Sequence, residues 1–348
     1  MTRTSVLHES RNKRILADVV RTYIETGEPV SSRRISRGHC EPLSPATIRN
    51  VMADLEEDGY LFQPHTSAGR VPTPAAFQFY VRQISSEASL PQQEQDWIHE
   101  ELARATTPEE VLERACHVLA QISHGLGIVI APPLATALLE HIRFLLLPDG
   151  RVMTVFIARG GQTRDKLVVS DRSFTQPELD RTADYLNRHY AGWTLHAIRD
   201  DLAAHIDRDR QRYDRLVSNA LVLCDPQLLA GDEKRQMFVE GAAQIATAPE
   251  FAEQAAMREL LAAIEEKQKL VGLLTGCIET PEPVTIQIGL KEINAAGPRL
   301  ALIGAPYASP DCARGTLAVL GPMRMEYERA ITAVAFLARV FSENSYRR

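Results

Sequence analysis

Residues 43–58 constrain the fold more than any other part of the chain. Ser44 has a side chain suited to an N-cap, and Pro45 follows at the first helical position, where a missing N–H costs no hydrogen bond. Apolar residues then recur at helical spacing, at Ile48, Val51, Met52 and Leu55. We therefore predict a short helix that begins at residue 45, buries one face and ends near Gly59.

The other face of this helix combines small residues with two strong hydrogen-bonding side chains. A turn of about 100° per residue places Ala46 and Asn50 opposite the buried stripe, with Thr47 and Arg49 beside them. An Asn amide can pair with adenine, and an Arg with guanine or phosphate. Any surface helix also has a polar face, so this face alone does not separate a DNA contact from a solvated surface.

Four acidic residues occupy the C-terminal part of the same helix. They would repel phosphate, and they lie at the unfavourable end of the helix dipole. We therefore expect only the N-terminal half of the helix to approach DNA. The four acids are Asp54, Glu56, Glu57 and Asp58.

The elements on either side make the interpretation more specific. An apolar stripe over residues 15–24 predicts a first helix, and Ser31 can cap a short second helix. Residues 60–62 and 71–73 are typical of two strands joined by a polar turn. Three helices followed by such a hairpin are the order of a winged-helix DNA-binding domain.

The charge distribution and the loop chemistry agree with DNA binding by this region. The whole chain has a formal net charge of −6, yet residues 31–50 carry four arginines against Glu41 alone, a net charge of +3. We predict that Arg49 and Asn50 contact bases, supported by Ser44, Ala46 and Thr47. Predicted phosphate contacts are Arg33 and Arg34 on the second helix, with His65, Thr66, Ser67 and Arg70 in the hairpin turn.

Several long segments resemble the family of heat-inducible transcription repressors called HrcA. They span residues 23–30, 43–56, 63–70, 305–307 and 314–327. The resemblance implies an α+β multidomain chain: an N-terminal winged helix-turn-helix, then a GAF-like α/β domain holding an inserted dimerisation domain. It also implies a cytoplasmic homodimer that represses chaperone operons through an inverted-repeat operator called CIRCE and is kept active by the GroEL chaperonin.

On this basis we predict domain boundaries at 1–88, 89–171, 172–226 and 227–348, the third being the insertion. Strands are predicted at 142–147, 152–157 and 166–170, and again at 284–290, 300–306 and 316–320. The pattern alone allows two small sheets or one interrupted six-stranded sheet. Long helices are predicted at 251–274 and 323–342.

Residues 199–215 alternate Arg and Asp above an apolar stripe. This pattern fits a solvated helix packed on its own domain, and it equally fits a helix that pairs with its twin across a two-fold axis. Either way, we do not expect a helix of mixed charge to contact DNA.

The sequence offers little for other functions. The five cysteines are scattered without a C-x-x-C pair, so we predict no metal site, and we find no signature of a catalytic residue or a cofactor. The longest apolar run, residues 126–139, is interrupted by prolines and too short to span a bilayer, so we expect no membrane partner. Two rival hypotheses remain: a metabolite-responsive winged-helix regulator whose GAF-like domain binds the ligand, and an enzyme with an appended regulatory domain.

Overall fold

The computed structural model describes residues 10–38, 43–66, 68–84, 89–133, 136–159, 163–168, 172–208, 214–224, 236–279, 282–291, 293, 296–308 and 314–343. Within these ranges the fold is a mixture of α-helices and antiparallel sheets. No helix of the described ranges is both long and apolar enough to cross a membrane.

The N-terminal unit, residues 10–83, contains three helices, a hairpin and a fourth helix. The apolar stripes predicted for the first and third helices are buried, so these two predictions are confirmed. The two strands pair antiparallel, with Leu61 opposite Pro72. The elements are α1 (Ser10–Thr26), α2 (Ser32–Gly38), α3 (Pro45–Glu57), β1 (Leu61–Phe62), β2 (Val71–Pro72) and α4 (Pro74–Gln83).

A five-stranded antiparallel sheet forms the centre of the second unit, with the strand order β7-β3-β10-β9-β8. Its strands are β3 (Leu126–Ile130), β7 (Met237–Glu240), β8 (Thr285–Ile288), β9 (Leu300–Ala308) and β10 (Arg314–Pro322). Alternate side chains point to opposite faces of a strand. Val319 therefore packs in one hydrophobic cluster, and its neighbours Ala318 and Leu320 pack in another.

Helices cover both faces of this sheet. The Val319 side carries α6 (Pro108–Ser123) and the terminal helix α13 (Tyr327–Glu343), with α5 (Gln92–Ala103) beside them. The opposite side carries α11 (Gln254–Glu265) and α12 (Lys267–Glu279). A short helix α10 (Ala242–Ala246) follows β7. The sheet with these helices, residues 92–130 and 237–343, is called the body below.

A second sheet and three helices have a hydrophobic core of their own, made by buried residues between Ala137 and Cys224. The strands are β4 (Leu139–Leu146), β5 (Val152–Ala158) and β6 (Thr163–Val168), in that order. One face of this sheet packs on α7 (Gln176–His189), α8 (Leu195–Arg208) and α9 (Asp214–Leu223). The chain leaves the body after β3 and returns at β7, which pairs directly with β3. We call residues 137–224 the inserted unit.

The core of the inserted unit lies on both sides of the domain boundary that we predicted between residues 171 and 172. That division separates β6 from α7, yet Val168 and Leu179 lie in the same hydrophobic cluster. A cut there would divide one core, so we propose that the insertion spans residues 137–224 instead of 172–226. Alternating patterns locate strands but do not show which sheet a strand joins, and the structure pairs these three strands with one another.

Two further details differ from expectation. The five-stranded sheet includes β3 and β7, neither of which we predicted. Every residue of β3 is buried, so it lacks the alternation that reveals a strand with one exposed face. The single helix predicted at 251–274 is two helices, because Glu266 leaves the helical conformation with ψ of 55°. The likeness of the body to a GAF domain stays a prediction.

Candidate nucleic-acid interface

The start of α3 has the N-cap that the sequence predicts. The backbone N–H of Thr47 donates to the Oγ of Ser44 at 3.0 Å, and the two hydroxyl groups share a hydrogen bond of 2.9 Å. Pro45 occupies the first turn. Both hydroxyl groups therefore hold the helix end, and Ser44 and Thr47 contribute to this surface first of all by fixing its backbone.

The predicted base-reading side chains lie on the exposed face of α3. Ala46, Arg49 and Asn50 are exposed, whereas Ile48 has no solvent exposure and Val51 is buried beneath them. Because α3 rests on this buried stripe, Arg49 and Asn50 project from a firmly packed helix. The structure thus brings together on one face the side chains that we predicted to read bases.

The helix before α3 adds two cations to the exposed surface. Arg33 and Arg34 are exposed on α2, which Ser31 caps by accepting a hydrogen bond of 3.3 Å from the backbone N–H of Arg34. The Nη1 of Arg34 lies 4.0 Å from the Oε2 of Glu28. A pair of exposed side chains at this distance interacts weakly, so Arg34 can turn to an anion in solution.

The hairpin turn between β1 and β2 is organised by a residue that sequence reasoning did not identify. The side-chain amide of Gln63 donates to the carbonyl oxygens of Thr66 at 3.0 Å and Ala68 at 2.8 Å. His65 and Thr66 are exposed at the tip, as a phosphate contact requires. Ser67, also predicted to bind phosphate, lies outside the described residues. An amide side chain just before a polar turn is the signal that could have revealed this role.

Arg70 has a different environment from the one that we expected. Its Nε lies 2.8 Å from the Oε2 of Glu56, and its side chain is only 17% exposed. The guanidinium group therefore faces the acidic end of α3 instead of open solvent. We infer that Arg70 acts mainly by holding the base of the hairpin against α3.

The base of the hairpin is also tied to the link between α1 and α2. Val30 and Arg70 exchange two backbone hydrogen bonds of 2.8 Å each. The Cβ of any larger residue at position 69 would meet the carbonyl oxygen of Val30. Gly69 is therefore required by the close approach of two backbones, and the hairpin is anchored on two sides.

The described residues contain no group of three or more His, Cys, Asp or Glu side chains placed to hold a metal ion. The thiols of Cys116 and Cys224 are buried. Burial raises the pKa of Cys224 to about 12, and it also raises that of Cys116. A thiol of such high pKa is a poor nucleophile at neutral pH, because the thiolate is the reactive form.

Comparisons with known proteins agree with these features. The family profile described as "HrcA protein C terminal domain" matches residues 109–331. The heat-inducible transcription repressor HrcA of Geobacter sulfurreducens is 38% identical over 333 residues, which cover 95% of this chain and 96% of the relative. The repressor of the same name from Syntrophobacter fumaroxidans is 35% identical over 339 residues, 96% of each chain.

A solved structure shares the fold. A crystal structure described as that of a hypothetical protein covers 97% of this chain, and 98% of its own length is matched. Its TM-score is 0.61 at 23% sequence identity. This likeness concerns the fold alone.

The class of protein follows from the exposed face of α3 together with these relatives: the chain is a transcription repressor. It belongs to the family of heat-inducible transcription repressors named HrcA.

Proposed function

We propose that this protein represses chaperone operons by binding the CIRCE inverted repeat as a homodimer, with the N-terminal half of α3 in the major groove. The observation that carries the proposal is the exposed face of α3, where Arg49 and Asn50 project beside the small side chain of Ala46. A winged helix-turn-helix reads a half-site with the N-terminal residues of such a helix. The arginines of α2 and the hairpin tip with His65 would then flank the groove and contact phosphates.

The acidic end of α3 fits this orientation. Asp54 and Glu57 are exposed at the C-terminal half of α3, where they would oppose phosphate. Glu56 faces Arg70, which reduces its repulsion of DNA. The polarity of the helix therefore favours entry of its N-terminal end.

An inverted repeat requires two copies of the winged-helix unit, one for each half-site. The inserted unit offers a surface through which two protomers can pair. The outer face of its three-stranded sheet carries apolar side chains that no helix covers among the described residues. Leu145 is 46% exposed and Leu167 is 41% exposed, and both lie opposite Met153 in the strand register. A contiguous exposed apolar patch commonly marks an interaction site.

The next row of the same face carries charge of both signs. Arg143, Val155 and Asp165 are aligned across the three strands. A two-fold contact of this face with its own copy could place each Arg143 near the partner copy's acidic side chain while the apolar residues pack together. We therefore propose that the dimer contact lies on this sheet; the sequence alone left the helix at 199–215 open as either a pairing helix or a solvated one.

The proposed dependence on the GroEL chaperonin is supported by the connectivity of the body. Strand β3 pairs with β10 across the whole inserted unit, with Leu126 opposite Leu320. Such a sheet closes only after most of the chain has been made, and discontinuous cores of this kind fold slowly and expose apolar surface meanwhile. Chaperonin should raise the fraction of protein that binds the operator, and a lack of any effect would contradict this part of the proposal.

A footprint on the promoters of the organism's own chaperone operons tests the proposal. We expect protection of an inverted repeat, symmetric about its centre, that disappears when either half-site is scrambled. Asp184→Ala, which changes an exposed helix residue of the inserted unit, is the matched control and should leave the footprint intact. Protection of one half-site alone, or none at these promoters, would contradict the proposal.

An open cleft is the candidate ligand site for the rival function, a regulator that responds to a metabolite. It has a volume of about 690 Å³ and lies between α4 and the edge strand β8, where Val81, Arg82 and Gln287 line it. Pockets of this size accept small ligands. A metabolite that raises the melting temperature and shifts operator affinity would favour this rival, and an Arg82→Ala variant should abolish both effects.

A further inference from the structure

Two segments that resemble the family, 23–30 and 314–327, contact each other although they lie about 300 residues apart in the chain. Gly27 ends α1 with a φ of +69°, and its backbone N–H donates to the carbonyl oxygen of Tyr23 at 2.8 Å. The guanidinium group of Arg324 occupies the space that a Cβ at Gly27 would fill. Any side chain at position 27 would therefore displace Arg324.

Arg324 is held from the other side by the body. Its Nε lies 2.9 Å from the Oε1 of Glu250, and the two side chains are only 17% and 23% exposed. Glu250 belongs to a short 3₁₀ turn (Pro249–Phe251), and Phe251 is fully buried beneath it. A largely buried ion pair adds little net stability, yet it strongly disfavours arrangements in which either charge lacks its partner.

Aromatic side chains extend the same contact. The ring of Phe77, on α4, lies 6.4 Å from the ring of Tyr23 and 6.2 Å from that of Tyr327. Tyr327 is 1% exposed, and its hydroxyl donates to the carbonyl oxygen of Met323 at 2.7 Å. The N-terminal unit therefore shares a hydrophobic core with the body, and Arg324 lies at its edge.

We propose that Arg324 is a positioning residue, which holds the N-terminal unit against the body in one orientation. This orientation sets the distance between the two α3 helices of the dimer. This inference rests on the proposed function, since the orientation matters only when two half-sites are read at once. The aromatic rings of Tyr23, Phe77 and Tyr327 pack beside the ion pair of Arg324 in the shared hydrophobic core. The Arg324–Glu250 pair, with its requirement for Gly27, selects the angle at which that core is formed.

The test compares full-length variants on three kinds of DNA: the natural inverted repeat, a single half-site and repeats whose spacer is altered by one to five base pairs. Arg324→Gln should bind the half-site as the wild type does. Its affinity for the natural repeat should fall about tenfold to a hundredfold, because simultaneous engagement depends on geometry. Its preference for the natural spacer should also flatten. Arg258→Gln removes an exposed arginine of the body and is the matched control.

The double variant Arg324→Gln/Glu250→Gln removes both charges of the ion pair, so neither is left buried without its partner. It should show the same DNA-binding changes as Arg324→Gln. This result would separate a loss of positioning from a loss of folding. A DNA-independent readout is hydrogen exchange, which should become faster over residues 20–30 in Arg324→Gln but not in Arg258→Gln. If the wild-type protein bound the natural repeat no better than the half-site, the proposed function would be wrong. The hydrogen-exchange result would still test whether Arg324 fixes the orientation of the N-terminal unit. Unchanged exchange and spacer preference, or an equal loss on the half-site, would overturn this inference.

Discussion

The Nε of Arg70 lies 2.8 Å from the Oε2 of Glu56, so the base of the hairpin is attached to the acidic end of α3. This contact joins the hairpin to α3, the two parts of the proposed DNA surface. From it we infer that Arg70 fixes the hairpin, whereas the sequence led us to expect a direct phosphate contact; the phosphate contact stays a prediction.

The salt dependence of DNA binding separates these two roles. We expect Arg70→Gln to weaken operator binding without changing the slope of log affinity against log salt, because no phosphate contact is lost. Arg34→Gln removes an exposed arginine and should reduce that slope by about 0.9. Fluorescence anisotropy titrations over a range of salt concentrations measure both. A reduced slope for Arg70→Gln would restore the phosphate role.

Arg49 and Asn50 should carry sequence recognition. Arg49→Ala and Asn50→Ala are each expected to cost about 1–3 kcal/mol of operator binding and to relax preference at one base position per half-site. Their melting temperatures should stay near that of the wild type, because both side chains are exposed. Glu57→Ala, at the other end of α3, is the control and should not weaken binding. Unchanged operator affinity in both Arg49→Ala and Asn50→Ala would mean that another face reads DNA.

Ser44 should contribute to stability through its cap. Removing the hydroxyl in Ser44→Ala leaves the N–H of Thr47 without its acceptor and should lower the free energy of unfolding by about 1 kcal/mol. Chemical denaturation followed by circular dichroism measures the loss. Thr66→Ala changes an exposed hydroxyl at the hairpin tip and should leave stability unchanged. Equal stabilities for the two variants would contradict the capping role.

A charge on the outer face of the inserted sheet should separate the dimer. Val155→Lys places an ammonium group between Arg143 and Asp165, in the row next to the exposed apolar side chains of Leu145 and Leu167. We expect a monomer in sedimentation velocity, with unchanged secondary structure, because Val155 is only half-buried within its own chain. Ala203→Lys adds the same charge to an exposed site on α8. A Val155→Lys variant that stayed dimeric would place the interface elsewhere.

Features determined by neighbouring residues were predictable from the sequence. The N-cap, the first-turn proline and the stripe that begins at Ile48 gave the start of α3 and its buried face, since each depends on residues within one or two turns. The exposed positions of Arg49 and Asn50 followed from the same helical phase.

Features that depend on distant partners were not predictable. The Glu56 that faces Arg70 is fourteen positions away, and no local pattern indicates the contact. The pairing of β3 with β7 spans more than a hundred residues, so the extent of the inserted unit could not be obtained from strand patterns. The same reason hides the contact between Gly27 and Arg324, which only the folded chain brings together.

We propose that two copies of α3 read the two halves of an inverted repeat. The most direct measurement is a stoichiometric titration of the wild-type protein on fluorescent CIRCE duplexes, with a duplex of equal length and composition but one scrambled half-site as the control. We expect two protomers bound per intact repeat and a large loss of affinity on the scrambled duplex. Equal affinity for both duplexes, or saturation by one protomer, would contradict the proposal.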